Sequence, residues 1–232
     1  MPTLKNFVTV DWRSGADAIH FFFKDTNQYS RFNTGDNEVP EGYPREITID
    51  QWDSFHRYAK KLCFGFTTTN MPGEITGFDS DVSWLFFYED DMPAVCKYDQ
   101  DADEASYTKF VKDTVWAPLL PYFDRIVAGT WLDLTGKSFV FKFIMSDGNH
   151  FIFDYKKSLL NYPAISPTSW NGLERFNNRV ITGVQKDRTF ADNYFYIFLT
   201  DNQYLIYNLQ LNSVQSGPHA VNDVNWPGLL NG

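Results

Sequence analysis

Four histidines are the first candidates for metal or haem chemistry in this chain: His20, His56, His150 and His219. They are far apart, and no HExxH, CxxC or facial-triad spacing connects them. A haem ligand among them is one interpretation. Ordinary surface or turn histidines are the interpretation that the scattered positions favour.

An acidic stretch, YDQDADEASY, offers Asp99, Asp101, Asp103 and Glu104 as candidate Ca²⁺ ligands. In the EF-hand pattern the sixth position is Gly and the twelfth is Glu, whereas here they are Glu104 and Phe110. The stretch is therefore predicted to be a solvated loop. No nucleophile elbow, P-loop or dinucleotide fingerprint is present, so the chain is predicted not to be an enzyme. A carboxylate pair for glycoside hydrolysis would leave no sequence signature and stays open.

Two tryptophans, Trp12 and Trp131, are the candidate ligand-binding residues. Each follows a short apolar segment that reads as a β-strand, and an aromatic ring at a strand end can stack on a sugar or another flat ligand. The alternative is that both rings pack in the core.

The elements that must position these residues recur four times along the chain. Each unit has an apolar strand, an aromatic run that ends in an acidic turn, an alternating strand and a closing tryptophan. The aromatic runs begin at Phe21, Leu85, Phe141 and Tyr196, and the closing tryptophans are Trp52, Trp116, Trp170 and Trp226. An insertion at 70–81 explains the longer second unit. This periodicity predicts an all-β, four-bladed β-propeller with about 55 residues per blade. The predicted blades are 5–58, 59–122, 123–176 and 177–232, in a single domain, and a β-sandwich is the alternative.

The first unit resembles a hemopexin repeat. Its VTVDWRS, FFFKD, QYSRF and GYPREITIDQW segments are similar, over about 45 residues, to the order that this family shows. The other units keep the order in degenerate form, and a single domain of this length is most similar to legume seed albumins. The resemblance implies that four backbone carbonyls can hold a cation, Ca²⁺ or Na⁺, on the propeller axis.

Aligning Gly65, Gly129 and Gly183 with Val10 assigns those carbonyls to Thr9, Phe64, Ala128 and Thr182. A second alignment, through Asp11, Asp133 and Asp187, ranks below it, and a channel filled by water or side chains is the alternative. The disulfide that joins the first and last blades in the family has no counterpart here. Cys63 and Cys96 are predicted on the first and third strands of one blade, too far apart to bridge, as free thiols.

The net charge of the chain limits the classes of partner that it is expected to bind. The net charge is -9, so nucleic acid and anionic membrane surfaces are disfavoured and small cations are attracted. No segment has the length and apolarity of a membrane span. The simplest interpretation is a cytoplasmic protein with reduced thiols, and a mature secreted chain would have the same features.

Three functional hypotheses follow. The leading one is non-enzymatic, lectin-like carbohydrate binding in a storage or defence role. The second is a carrier of small cationic or planar ligands, namely haem, polyamine or metal ions. The third is a protein-interaction module. Agglutination would need two or more sites, from several blades or from an oligomer.

Overall fold

The computed structural model describes residues 4–71, 81–133, 139–157, 159–161, 169–188 and 193–230. In this part of the chain sixteen strands form four antiparallel sheets, each made of four consecutive strands. The innermost strands of the sheets contact one another in a ring. The four-bladed β-propeller predicted from the repeat is confirmed.

The strand bounds follow the repeat closely. The first sheet has β1 (Phe7–Trp12), β2 (Ala18–Phe23), β3 (Gln28–Asn33) and β4 (Arg45–Glu46), and the second has β5 (Leu62–Thr69), β6 (Asp81–Glu89), β7 (Met92–Asp99) and β8 (Glu104–Phe110). The third has β9 (Ile126–Trp131), β10 (Val140–Met145), β11 (His150–Asp154) and β12 (Leu159–Asn161), and the fourth has β13 (Val180–Arg188), β14 (Asn193–Leu199), β15 (Gln203–Asn208) and β16 (Ser213–Ala220). Residues 72–80 of the predicted insertion lie outside the described residues.

Helical segments connect the sheets. One short α-helix, α1, spans Ile49–Trp52, and 3-10 turns span Asp53–Arg57, Ala59–Lys61, Val111–Asp113, Ala117–Arg125, Leu173–Arg175 and Asn177–Arg179. Within each blade the aromatic run is the second strand. The turn that follows it uses residues with positive φ, such as Asn27 (58°), Asp91 (62°) and Gly148 (78°). Asn, Asp and Gly adopt this conformation most readily, which explains the acidic turns of the repeat.

The core consists of four apolar clusters, one between each pair of neighbouring sheets. We name them interfaces 1–2, 2–3, 3–4 and 4–1 after the sheets that they join. Each contains one closing tryptophan, exposed by 3% or less: Trp52, Trp116, Trp170 and Trp226, in that order. Large flat rings fill the wedge between two twisted sheets, so the tryptophan recurs because the wedge recurs.

Glycines on three innermost strands make room for a side chain of the preceding sheet. A Cβ atom on Gly129 would lie 2.9 Å from Phe66 Cδ1. The same approach is made by Val10 to Gly65 and by Ala128 to Gly183. At interface 4–1 the position of the glycine is taken by Thr9, whose backbone N–H donates to Thr182 Oγ1 at 3.2 Å. The two hydroxyl oxygens are 3.1 Å apart.

These contacts correct the alignment of the innermost strands. Thr9, and not Val10, corresponds to the three glycines, so the alignment through Val10 is wrong by one residue. The loops between first and second strands differ in length from blade to blade, and spacing along the sequence therefore could not fix the register. Cys63 and Cys96 are free, and they lie on the first and third strands of the second sheet as predicted.

Candidate functional site

A buried ion pair, Asp11 with Arg13, lies among the innermost strands of the four sheets. Arg13 Nε donates to Asp11 Oδ2 at 2.7 Å, and the two side chains are 4% and 7% exposed. Asp11 is the second-last residue of β1, and Arg13 directly follows the strand. Side chains two residues apart along a strand point to the same face, so Asp11 and Arg13 lie side by side. Asp11 Oδ1 also accepts the backbone N–H of Thr67 at 3.0 Å.

Arg13 contacts the ends of all four innermost strands. Besides Asp11 on β1, it donates to Thr69 Oγ1 at 3.2 Å on β5 and to Gln185 Oε1 at 3.0 Å on β13. Its guanidinium carbon lies 6.0 Å from the ring centroid of Trp131 on β9. A protein cation therefore lies among the four innermost strands, in contact with each of them.

Gln100 joins the first two sheets beside this ion pair. Its side-chain oxygen accepts the backbone N–H of Arg13 at 2.7 Å. Its amide nitrogen donates to the Asp11 carbonyl, to Thr67 Oγ1 and to Ser83 Oγ at 3.2, 3.0 and 2.6 Å. A buried network of this kind holds the blades in one relative position because each of its members needs its partners.

The predicted carbonyl set for an axial cation does not lie at one level. Phe64, Ala128 and Thr182 correspond to one another, whereas Thr9 is one residue further along its strand. The axial Ca²⁺ or Na⁺ stays a prediction. Of the second acidic set, Asp11 belongs to the ion pair with Arg13. Asp133 is the second residue after β9, and Asp187 lies on β13. The described residues contain no group of three or more His, Cys, Asp or Glu that could hold a metal ion.

The acidic stretch behaves as a turn. Asp99 Oδ1 accepts the backbone N–H groups of Asp101 and Ala102 at 3.0 and 3.1 Å. Asp101 Oδ2 accepts the backbone N–H of Asp81 at 3.1 Å. These carboxylates stabilise the connection between β7 and β8, in which Gln100 is buried and residues 101–104 are exposed to solvent as predicted.

The histidines divide into two kinds, and the expectation of surface or turn positions is wrong for two of them. His56 Nδ1 lies 2.6 Å from the Asp53 carbonyl and His219 Nε2 lies 3.0 Å from Ser216 Oγ, both near the surface. His20 and His150 are 5% and 0% exposed. Burial lowers the pKa of His20 to about 3 and that of His150 to about 4, so both are neutral at pH 7.

The two candidate tryptophans lie in different interfaces. Trp131 is 3% exposed and stacks on Phe141 in interface 2–3, with a centroid distance of 6.5 Å. Its ring faces are occupied by protein, so the core-packing alternative describes it. Trp12 is half-buried at interface 1–2 and donates from Nε1 to the Ser14 carbonyl at 3.0 Å.

Trp12 forms part of a cleft of about 90 Å³ between the first and second sheets. We call it the interface cleft. Its lining combines aromatic rings with amide, imidazole, guanidinium and carboxylate groups: Trp12, His20, Tyr29, Arg31, Tyr43, Gln51, Trp52 and Asp103. The aromatic rings contact one another edge-on, as in the pair Trp12 and Trp52, whose centroids are 6.0 Å apart. Such edge contacts fix the wall of the cleft in place.

The buried indole nitrogen of each closing tryptophan lacks a hydrogen-bond partner in the structure: Trp52, Trp116, Trp170 and Trp226. His20 Nδ1 and Gln51 Oε1, of residues that line the interface cleft, are buried without a partner as well. The unpartnered indole nitrogen is thus a feature of the repeat and does not by itself mark the interface cleft. Trp12 was predicted as a ligand-binding residue, whereas His20 was considered only as a metal or haem ligand. Gln51 was not predicted, because it meets the other two only after β2 and α1 have packed together.

The sequence has no match among protein-family models and none among curated proteins. Two solved structures align with most of the chain. A structural genomics protein of unknown function from Bacteroides thetaiotaomicron VPI-5482 is 11% identical over 90% of this chain and 42% of that one, with a TM-score of 0.35. Saccharomyces cerevisiae Sqt1 is 8% identical over 89% of this chain and 46% of that one, with a TM-score of 0.33. This chain spans less than half the length of either. No helix among the described residues is long and apolar enough to cross a membrane.

Proposed function

We propose that this chain is a non-enzymatic, lectin-like protein that binds carbohydrate in the interface cleft, in a storage or defence role, and that its blades are divergent hemopexin repeats. The observation that carries the proposal is the lining of the cleft. Aromatic rings, which can stack on the apolar face of a sugar, line the cleft together with amide, guanidinium and carboxylate groups. A sugar hydroxyl both donates and accepts, so it suits such a mixture.

The charged groups of the cleft support binding in preference to catalysis. Among the described residues, Asp103 is the one carboxylate of the lining. Its Oδ1 accepts the hydroxyl hydrogen of Tyr98 at 2.8 Å. Glycoside hydrolysis generally uses two carboxyl groups that flank the bond to be broken. Arg31 Nε donates to Asn33 Oδ1 at 3.0 Å, which holds the guanidinium at the rim as a fixed donor.

The test is a fluorescence titration with monosaccharides, hemin and spermine, preceded by a glycan array that selects the sugars. A bound sugar should change the tryptophan emission in a saturable way, and the change should fall at least severalfold in Trp12→Phe. Trp131→Phe is the control, since it also removes a tryptophan at the end of an innermost strand, but from interface 2–3.

Each outcome separates the hypotheses. An array without any bound glycan would refute carbohydrate binding. Saturable binding of hemin with a Soret shift, or of spermine, in the absence of sugar binding would support the carrier hypothesis in its place. Sugar binding that Trp131→Phe abolishes and Trp12→Phe leaves intact would place the site away from the interface cleft.

A further inference from the structure

The outermost strand of each sheet is an edge whose backbone groups can pair with another chain. As the structure describes them, β4 and β12 span only two and three residues. β16 spans eight, but its pairing with β15 has two register shifts and it includes Pro218, which has no N–H. β8 spans seven residues with one register shift and no proline. Of these four edges, β8 is therefore the best suited to accept a further strand.

The register of the second sheet shows which backbone groups of β8 point outward. The Gln100 N–H donates to the Asp81 carbonyl at 2.8 Å, and hydrogen-bonded pairs recur at every second residue of an antiparallel ladder. Counted in steps of two from that pair, Cys96 bonds to Leu85 on β6. Thr108 lies opposite Cys96. Its backbone N–H and C=O therefore point away from the sheet.

The same alternation applies to Phe110 and Ala105, which also lie opposite even-numbered residues of β7. The N–H of Ala105 points outward as this requires, and it donates to Asp53 Oδ2 at 3.1 Å. That contact occupies the start of the edge. In the part of the chain that the structure describes, the outward N–H groups of Thr108 and Phe110 have no acceptor. The open part of the edge is thus its second half.

A groove of about 440 Å³ lies beside this half of β8, lined by Tyr107, Lys109, Asp113, Thr114 and Val115. Tyr107 and Lys109 are two residues apart, so both side chains are on the face of the strand that borders the groove. Val115 is 38% exposed there. A strand added to β8 would place every second side chain over the groove. In this mode of recognition, main-chain hydrogen bonds give affinity and such side-chain pockets give specificity.

Lysines surround the groove in a chain whose net charge is -9. The Nζ atoms of Lys97 and Lys109 lie 5.9 and 4.5 Å from the ring centroid of Tyr107. Lys112 is exposed in the turn that follows β8, and Asp113 is the acidic residue of the lining. Three lysines against one aspartate make this end of the edge locally positive. Complementary potentials favour an acidic partner strand.

A second copy of this chain fits the edge poorly. A twofold pairing that joins Thr108 of one copy to Phe110 of the other places the two Lys109 side chains directly opposite each other, and like charges in that position are destabilising. A twofold pairing centred on Thr108 instead sets Phe110 against Ser106, which lies at the register shift and has no paired residue on β7. Neither arrangement uses the edge well.

We propose that β8 is a docking edge for an extended acidic segment of a partner protein, which joins the second sheet as a fifth strand. Its backbone pairs with Thr108 and Phe110. One acidic side chain lies opposite Lys109, and an apolar side chain two residues away lies over Tyr107 and Val115. This surface is on the rim of the propeller, and the proposal does not depend on carbohydrate binding in the interface cleft.

The test measures the fluorescence anisotropy of two labelled peptides, TTETVTT and TTKTVTT, with the full chain. We expect saturable binding of TTETVTT and much weaker binding of TTKTVTT. Thr108→Pro removes the outward N–H without loss of a bond to β7, and it should weaken TTETVTT binding about tenfold. Thr108→Val keeps the N–H and is the matched control, with unchanged affinity. Lys109→Glu should weaken TTETVTT binding about fivefold and strengthen TTKTVTT binding.

Amide hydrogen exchange of the unaltered chain tests the same geometry without a variant. TTETVTT should slow the exchange of the Thr108 and Phe110 amides, whereas those of Tyr107 and Lys109 already bond to β7 and should change little. Unchanged exchange at Thr108 under millimolar TTETVTT would overturn the proposal, as would equal binding of the two peptides. A free chain that dimerises in sedimentation, with dimerisation lost in Thr108→Pro and kept in Thr108→Val, would overturn it in favour of a second copy.

Discussion

The buried ion pair of Asp11 with Arg13 gives a sharp test of how the blades are held together. Arg13→Met removes the guanidinium that pairs with Asp11 at 2.7 Å and keeps most of the apolar length of the side chain. The Asp11 carboxylate then stays buried, with the backbone N–H of Thr67 as a remaining donor. Breaking a buried pair on one side costs about 3–5 kcal/mol. In a chain of this length that loss lowers Tm by about 10 °C.

The assay is urea unfolding followed by tryptophan fluorescence, applied to a double-mutant cycle. Asp11→Asn with Arg13→Met should recover part of the loss, since the double variant leaves no unpaired buried charge. Arg179→Met is the control, because its pair with Asp201 is 3.5 Å long with side chains 32% and 81% exposed, and such pairs contribute about 0–1 kcal/mol. If Arg13→Met costs no more than Arg179→Met, or if the double variant recovers nothing, the reasoning is refuted.

Three further outcomes are expected. Gly129→Ala should lower the free energy of unfolding by about 1–3 kcal/mol, because the new Cβ would lie under 3.0 Å from two phenyl rings. Gly35→Ala is the control: its Cβ would have no atom within 4 Å, so the free energy from the same urea titration should change little. Burial lowers the pKa values of His20 and His150 to about 3 and about 4, so below pH 6.5 the unfolded chain binds more protons than the folded chain. The free energy of unfolding should therefore fall as the pH is lowered, by about 2 kcal/mol per histidine at pH 5. An unchanged urea midpoint between pH 7 and pH 5 would contradict this. Burial raises the pKa of Cys96 to about 12, so its reaction with a thiol reagent at pH 8 should proceed at the rate of unfolding, as measured with and without urea.

The fold could be predicted because its signal repeats. An aromatic run and a closing tryptophan recur in all four units, because each interface between sheets has the same shape. A degenerate match in one unit is therefore outweighed by the matches in the other three. The register of the innermost strands could not be predicted in this way. Val10 resembled the glycines in position, but the strand pairing of Thr9 with Phe21, equivalent to that of Gly65 with Leu85, shows that Thr9 takes their place.

The candidate site was predicted less completely than the fold. Trp12 was found because an aromatic residue at a strand end is visible in the sequence. Arg13 lies next to it, and Asp-x-Arg at the end of a strand was an available signal for the ion pair. His20 and Gln51 gave no such signal, since each is ordinary in its own segment and meets the other only across a blade.

The construction of every sheet from four consecutive strands has a consequence for how the ring opens. No strand is shared between the first and fourth blades, so side chains and isolated backbone contacts alone hold interface 4–1. Its hydrogen bonds join residues 173 and 198 positions apart, as in Thr9 with Thr182 and Leu4 with Asn202. Loop-closure entropy grows with separation, by about 0.6 kcal/mol per doubling. Of the four junctions, we therefore expect this one to close last and open first. Leu4 and Leu230 both pack there, so a circular permutant that links them and begins at the second sheet would move the weak junction to another pair of blades and keep the same four interfaces.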